Sequence, residues 1–149
     1  MIIDVNDAAG NIAHPDWLAR AETVHRQLRP QLPESYAAKM ASVFAGGGRM
    51  CVATRGRDVT GVAVYRVYDN TFCGLHMYVD DLVTAEDQRS TGVGRALLTH
   101  LEALARRAGC AVLALDSGTQ RQQAHKFYFR EGLVVTSFHF SKALSPSAR

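Results

Sequence analysis

The chain has 149 residues, 47% of them hydrophobic and 21% charged, and 17 Lys+Arg against 14 Asp+Glu leave a net charge of +3. One globular domain over residues 1–149 is expected, and disorder or collagen-like repeats are excluded. No concentrated basic stripe points to nucleic acid, and the longest apolar stretches fall short of the ~20 residues of a membrane helix. The start, Met1-Ile2-Ile3-Asp4, lacks the basic and apolar regions of a secretory signal, so a cytoplasmic protein is expected. Cys51, Cys73 and Cys110 form no C-x-x-C pair and read as reduced core thiols, with no metal site expected.

The first third reads as helical. In His14-Pro15-Asp16 the proline is placed for a helix start, and Trp17, Leu18, Ala21, Val24, His25 and Leu28 recur at helical spacing. Pro30 and Pro33 end that segment. A second helix is expected from Ser35, with Tyr36, Met40, Val43 and Phe44 along one side and Gly46-Gly47-Gly48 as its stop. The pattern then turns to strands: Met50 to Thr54, Val59 to Val67, and Leu75 to Val83, with turns at Arg55–Asp58 and Asp69-Asn70. That spacing predicts an antiparallel meander. Val93, Leu97, Leu101, Leu104 and Ala108 restore the helical period, and Gly109 follows its end. Ala111 to Leu115 is the apolar run of a buried strand. A further helix is expected over Gln122 to Arg130, closed by Gly132, then a last strand from Leu133 to about Ser141 and a frayed tail over 145–149. This order predicts an α+β domain around one central mixed sheet.

The segment from Val83 to Arg95 lies between a buried strand and a strong amphipathic helix. Gly92 and Gly94 let backbone approach a ligand without a Cβ in the way. Amide groups around Arg89 to Arg95, at the positive end of a helix dipole, suit a phosphate, and Arg89 and Arg95 add charge. A dinucleotide fingerprint requires another glycine three residues on, where Leu97 stands, so that reading fails.

Arg89-Ser90-Thr91-Gly92-Val93-Gly94 resembles the R/Q-x-x-G-x-G/A signature of the GCN5-related N-acetyltransferases (GNAT). Downstream, Ala124-His125-Lys126-Phe127-Tyr128-Phe129-Arg130-Glu131-Gly132-Leu133 is similar to that family's A-x-x-x-Y-x-x-x-G-F segment. The resemblance covers about residues 49 to 143. It implies a GNAT-like fold, a mostly antiparallel mixed sheet of about six strands with about four helices. It also implies that 49–143 form the acetyl-CoA core while the helices of 1–48 face the acceptor. From Ala124 to Leu144 the chain is similar to aminoalkylphosphonate N-acetyltransferases. Glu86 stands where the family often has proline, Ser90 where glycine is common, and Arg121 in place of a frequent asparagine.

By that resemblance Arg89, Ser90, Thr91, Gly92, Val93, Gly94 and Arg95 hold the pyrophosphate of acetyl-CoA, the co-substrate. The backbone of Leu82, Val83 and Thr84 holds the pantetheine arm, and Arg121 adds to the cofactor side. Tyr128 is the candidate general acid, because a phenol stays protonated at neutral pH and can donate to the leaving thiolate. Asp81, with Asp80 in reserve, is the candidate base for the acceptor amine. Adjacent strand residues point to opposite faces, so both reach one cleft only through a bulge, and pairing to a nearby arginine is the alternative. His76 is a weaker candidate for proton relay. Arg49, Arg55, Arg57 and Arg66 are candidates for an anionic group on the acceptor. Direct ternary-complex transfer to a small primary amine is the expected activity. A lysine or N-terminal protein acetyltransferase and a non-catalytic acyl-CoA sensor are the alternatives. An uncovered sheet edge leaves a homodimer open.

Overall fold

The computed structural model describes residues 1–146. The chain forms two compact units, Met1–Leu115 and a second beginning at Asp116. The first unit carries one five-stranded sheet: β1 (Ile2–Asp4), β2 (Arg49–Arg55), β3 (Asp58–Asn70), β4 (Gly74–Thr84) and β5 (Val112–Leu115) lie side by side in chain order. The first three pairings are antiparallel and β4 pairs β5 in parallel. Five strands stand where about six were expected.

Side chains of β2 and β3 alternate between two cores, as the pleat requires. Met50, Val52, Val62 and Val64 face α1 (Pro15–Leu28) and α2 (Tyr36–Ala45), where Leu18, Ala21, Val24, Met40 and Phe44 complete the packing. Cys51, Ala53, Ala63 and Tyr65 face α3 (Val93–Arg107), which buries Leu97, Leu101 and Ala105. Pro15 sits in the first turn of α1, where its missing amide costs nothing. At Gly61 a Cβ would lie 2.7 Å from Val93 Cγ1 and 2.9 Å from Leu97 Cδ1. The glycine is therefore what lets α3 close down on β3.

Three expectations change. The N-terminal residues read as a helical third, yet Ile2–Asp4 is a strand, registered on Cys51–Ala53. Three residues are too few for the alternation of a half-buried strand to be legible. The turn placed at Asp69-Asn70 belongs to β3, and the reversal follows it: Asn70 Oδ1 accepts the amides of Phe72 and Cys73. Finally, the strand expected from Leu133 to about Ser141 is not formed, and these residues join no ladder among those described. Val134, Val135, Phe138 and Phe140 have strand propensity, but propensity measures fit to a neighbouring pleated surface rather than an intrinsic choice. The second unit contains α4 (Gln122–Arg130) as expected, closed at Gly132 (φ +87°). The tail expected to fray runs past the described residues.

Candidate active site

β4 leaves the sheet's last pairing halfway along its length. Its register with β5 ends at Val79 opposite Leu115, so Asp80 to Thr84 have no strand partner on that side. Leu82, Val83 and Thr84 lie in that stretch, their backbone unpaired on the β5 side. A single 3-10 turn (Glu86–Gln88) leads from β4 to the glycine-rich segment.

That segment is shaped by two left-handed residues. Ser90 has φ +62° and Gly92, the N-cap of α3, has φ +90°. No side chain caps α3, so its first amides, from Val93 to Arg95, have no acceptor within the helix. Arg89, Ser90, Thr91, Gly92 and Arg95 are exposed, and Val93 and Gly94 half-buried. Thr91 Oγ1 donates to the Gln88 carbonyl at 2.6 Å, and Arg89 lies 3.9 Å from Glu86. A helix start without a side-chain cap, its dipole and two arginines fit a diphosphate. Ser90 takes the glycine-like conformation that explains why the related signature often has glycine there.

The two aspartates lie on one face. Val64 pairs with Asp81 and Tyr65 with Val79, which makes Asp80 the extra residue of a bulge. Asp80 takes a fork from Arg66, with Nη2 at 2.7 Å and Nε at 2.9 Å, and Arg66 lies over the rings of Tyr68 and Tyr78. Asp81 accepts Arg29 Nε at 2.6 Å on one oxygen and faces His25 Nε2 at 2.8 Å with the other. Arg29 also donates to the Asp80 carbonyl at 3.1 Å. Burial alone would raise the Asp81 carboxyl. The hydrogen bond from His25 and the charge of Arg29 outweigh it and hold the group below the ordinary carboxylate range. Each aspartate thus has its own arginine, the pairing weighed above as the alternative.

The remaining candidates separate. Arg66 is taken up by Asp80, and Arg49 donates to the Gly48 carbonyl at 2.7 Å. His76 is buried with its Nδ1 on the Gly74 carbonyl at 3.3 Å and its ring against Tyr68. In the second unit Arg121 is the N-cap of α4 and Tyr128 is its buried residue. Burial pushes the Tyr128 phenol up, partly offset by the Arg121 guanidinium. His139 pairs with Asp116 at 3.1 Å. Among the described residues one group has ligand atoms close enough for a metal: Asp4, Cys51 and His100, within 4.8 Å of one another. Among the described residues no helix is long and apolar enough to cross a membrane.

Sequence reading missed Arg29, Tyr36, His25 and Gly61 as parts of this architecture. His25 and Tyr36 were visible only as members of apolar helical stripes. A histidine and a tyrosine on such faces carry polar atoms that must be satisfied once buried, and that was the available signal.

The model of the acetyltransferase (GNAT) family matches residues 13–132. An uncharacterized N-acetyltransferase of Bacillus subtilis is 41% identical over 70 residues, 46% of this chain and 49% of that protein. The aminoalkylphosphonate N-acetyltransferase of Salmonella typhimurium is 38% identical over 66 residues, 44% of this chain and 43% of that protein. The aligned part thus spans about half the length of these curated relatives. The structure of AAC(6')-Iy in complex with a CoA-linked bisubstrate analogue superposes with a TM-score of 0.79 at 15% identity, covering 97% of each chain, a likeness of fold. With the family model matched from the first helix to the glycine after α4, the chain belongs to the GNAT acetyltransferase family.

Proposed function

We propose that this protein is an acetyl-CoA-dependent N-acetyltransferase that acts on a small primary amine by direct transfer in a ternary complex. The observation that carries the reading is the start of α3 without a side-chain cap, preceded by the left-handed Ser90 and Gly92, one 3-10 turn after a strand whose last five residues lack a strand partner on one side. The amides of Arg89 to Arg95 bind the diphosphate of acetyl-CoA, and the backbone of Leu82 to Thr84 aligns its pantetheine arm. Bound there, acetyl-CoA supplies the thioester. Tyr128 is the proton donor to the departing thiolate, and its raised pKa keeps it protonated at neutral pH. The acceptor approaches from the side of α1, α2 and the Asp80–Asp81 bulge. The part-length likeness to an enzyme named for aminoalkylphosphonates supports a small amine carrying an anionic group.

The test is release of free thiol from acetyl-CoA across short amines, aminoalkylphosphonates and a lysine-bearing peptide, beside calorimetric titration with acetyl-CoA. Turnover with a small amine is expected. Turnover with the peptide alone makes the protein a protein acetyltransferase, and tight binding without turnover makes it a sensor. Absence of binding overturns the reading.

A further inference from the structure

Three side chains from three elements form a hydrogen-bonded line on the α1–α2 side of β4. Asp81 Oδ2 lies 2.8 Å from His25 Nε2, and His25 Nδ1 lies 2.9 Å from Tyr36 Oη. His25 is 2% exposed and Tyr36 4%, and their rings meet edge to face at 5.7 Å. The other Asp81 oxygen is held by Arg29. With both its oxygens engaged and its pKa depressed, that carboxylate is a poor base by itself.

The chain of bonds has a direction. An anionic carboxylate can only accept, so the neutral imidazole carries its proton on Nε2. Nδ1 is then the acceptor, and Tyr36 donates its hydroxyl proton to it. Burial, with the charges of Glu22 and Asp81, keeps the phenol protonated. An acid that fixes the tautomer, an imidazole that accepts, and a hydroxyl that donates are the parts of a charge-stabilised base. Tyr36 is the first residue of α2, and the side-chain cluster it joins through His25 and Asp81 reaches solvent at Arg29 and Asp80, whose side chains are 42% and 27% exposed.

Resting on the acetyl-transfer reading, we infer that the base for the acceptor amine is His25, reached through the Tyr36 hydroxyl, with Asp81 as its positioning residue. The N–H bond of the ammonium breaks as its proton passes to Tyr36 Oη. The Tyr36 O–H proton moves to His25 Nδ1 in the same step. The imidazolium so formed faces the Asp81 carboxylate, and the freed nitrogen lone pair forms the new bond to the thioester carbon as the C–S bond breaks. The leaving sulfur takes the Tyr128 proton, and the second proton lost by the nitrogen restores the phenol. After transfer the proton returns to solvent by the same line. The charged groups around it are Glu22 and Arg26 on α1, Arg29 at its C-cap, Asp80 and Asp81 on β4, and Arg66 on β3. Glu22 pairs with Arg26 at 2.8 Å and Arg66 with Asp80 at 2.7 Å, which leaves Asp81 as the anion on the imidazole.

Nitrogen-15 NMR of the imidazoles and thiol-release kinetics with 2-aminoethylphosphonate test the assignment together. Wild-type His25 is expected as the Nε2–H tautomer. Asp81→Asn presents an amide N–H to Nε2 and turns the ring to the Nδ1–H form, while Tyr36→Phe leaves the tautomer as it is. Both variants are expected to lower kcat at least about ten-fold with acetyl-CoA affinity unchanged, since the phosphate turn is untouched. A purely structural role would lower Tm in both variants and leave kcat at the wild-type value well below Tm, whatever the tautomer. Wild-type kcat in Tyr36→Phe, or an Nδ1–H tautomer in the wild type, overturns the assignment. If wild type turns over no amine at all, the acetyl-transfer reading fails, and with it the role of the line as a base. The tautomer then decides only whether the line is drawn in the right direction.

Discussion

Asp80 and Asp81 are consecutive on β4 and yet face the same helical layer, each bound to a different arginine, Arg66 at 2.7 Å and Arg29 at 2.6 Å. In a regular strand one of them would point toward α3, into the core that holds Met77 and Val79. The bulge at Asp80 spares that core a buried charge and concentrates four charged groups beside α1. A consequence is that neither carboxylate is a bare trap for an ammonium ion.

The depressed pKa of Asp81 couples this pairing to folding. A group whose folded pKa lies below its unfolded value contributes stability that is present above the unfolded value and lost as pH falls through the folded one. Tm is therefore expected to fall as pH is lowered from 6 toward the acid range, roughly through pH 4 and below by the carboxylate reference values. Asp81→Asn should be less stable at pH 6 and show a flatter acid limb. Thermal melts followed by circular dichroism check this, and parallel limbs for the two proteins would contradict it.

Gly92→Val is expected to fold and to lose affinity for acetyl-CoA. No atom lies within 4 Å of the place its Cβ would take, so the cost is not a clash within the chain. A β-branched residue at φ +90° is strained and will pull the first turn of α3 out of shape. The displaced amides then fail to meet the diphosphate. Calorimetric titration should show affinity at least about ten-fold weaker, about 1.4 kcal/mol. By the same reasoning Ser90→Gly should keep affinity and raise Tm slightly, because it removes a left-handed serine.

Gly61→Ala tests how α3 is seated. The added methyl would sit 2.7 Å from Val93 Cγ1 and 3.1 Å from the Val83 carbonyl. A loss of about 1–3 kcal/mol is expected from overpacking, read as a lower urea midpoint at unchanged slope. Because Val93 is the first residue of α3, weaker acetyl-CoA binding should accompany it. An unchanged midpoint would mean that α3 is free to shift.

The meander, α3 and α4 were legible because each is long enough to show its period: Val93, Leu97 and Leu101 recur on one side of α3, and all three are packed against the sheet. The glycine-rich turn before α3 was legible because glycine spacing is a backbone property. What did not show in the sequence depends on partners far along the chain. Ile2–Asp4 is a strand because Cys51–Ala53 lies beside it, and Leu133 to Ser141 carries strand-like residues without one. His25 and Arg29 meet Asp81 across more than fifty positions, and no local pattern encodes that meeting. The bulge at Asp80 likewise exists only in the register between β3 and β4, although the need for one followed from the two adjacent aspartates.

Tyr128→Phe keeps the ring in α4 and removes the hydroxyl proposed as the proton donor. Acetyl-CoA affinity is expected to be unchanged and kcat to fall by about ten-fold or more, the lower part of the range for a positioned acid. Because burial raises the phenol, wild-type kcat should hold well into the alkaline range, beyond an ordinary tyrosine. Wild-type turnover in the variant would remove Tyr128 from the reaction.

The most direct measurement is mass spectrometry of both protein and amine during turnover of acetyl-CoA with 2-aminoethylphosphonate. Direct transfer predicts one acetyl group gained by the amine, one free thiol released for each, and no acetyl group on the protein at any time. An acetylated side chain that forms and decays with turnover would contradict direct transfer, and an unmodified amine across the whole panel would contradict the acetyltransferase itself.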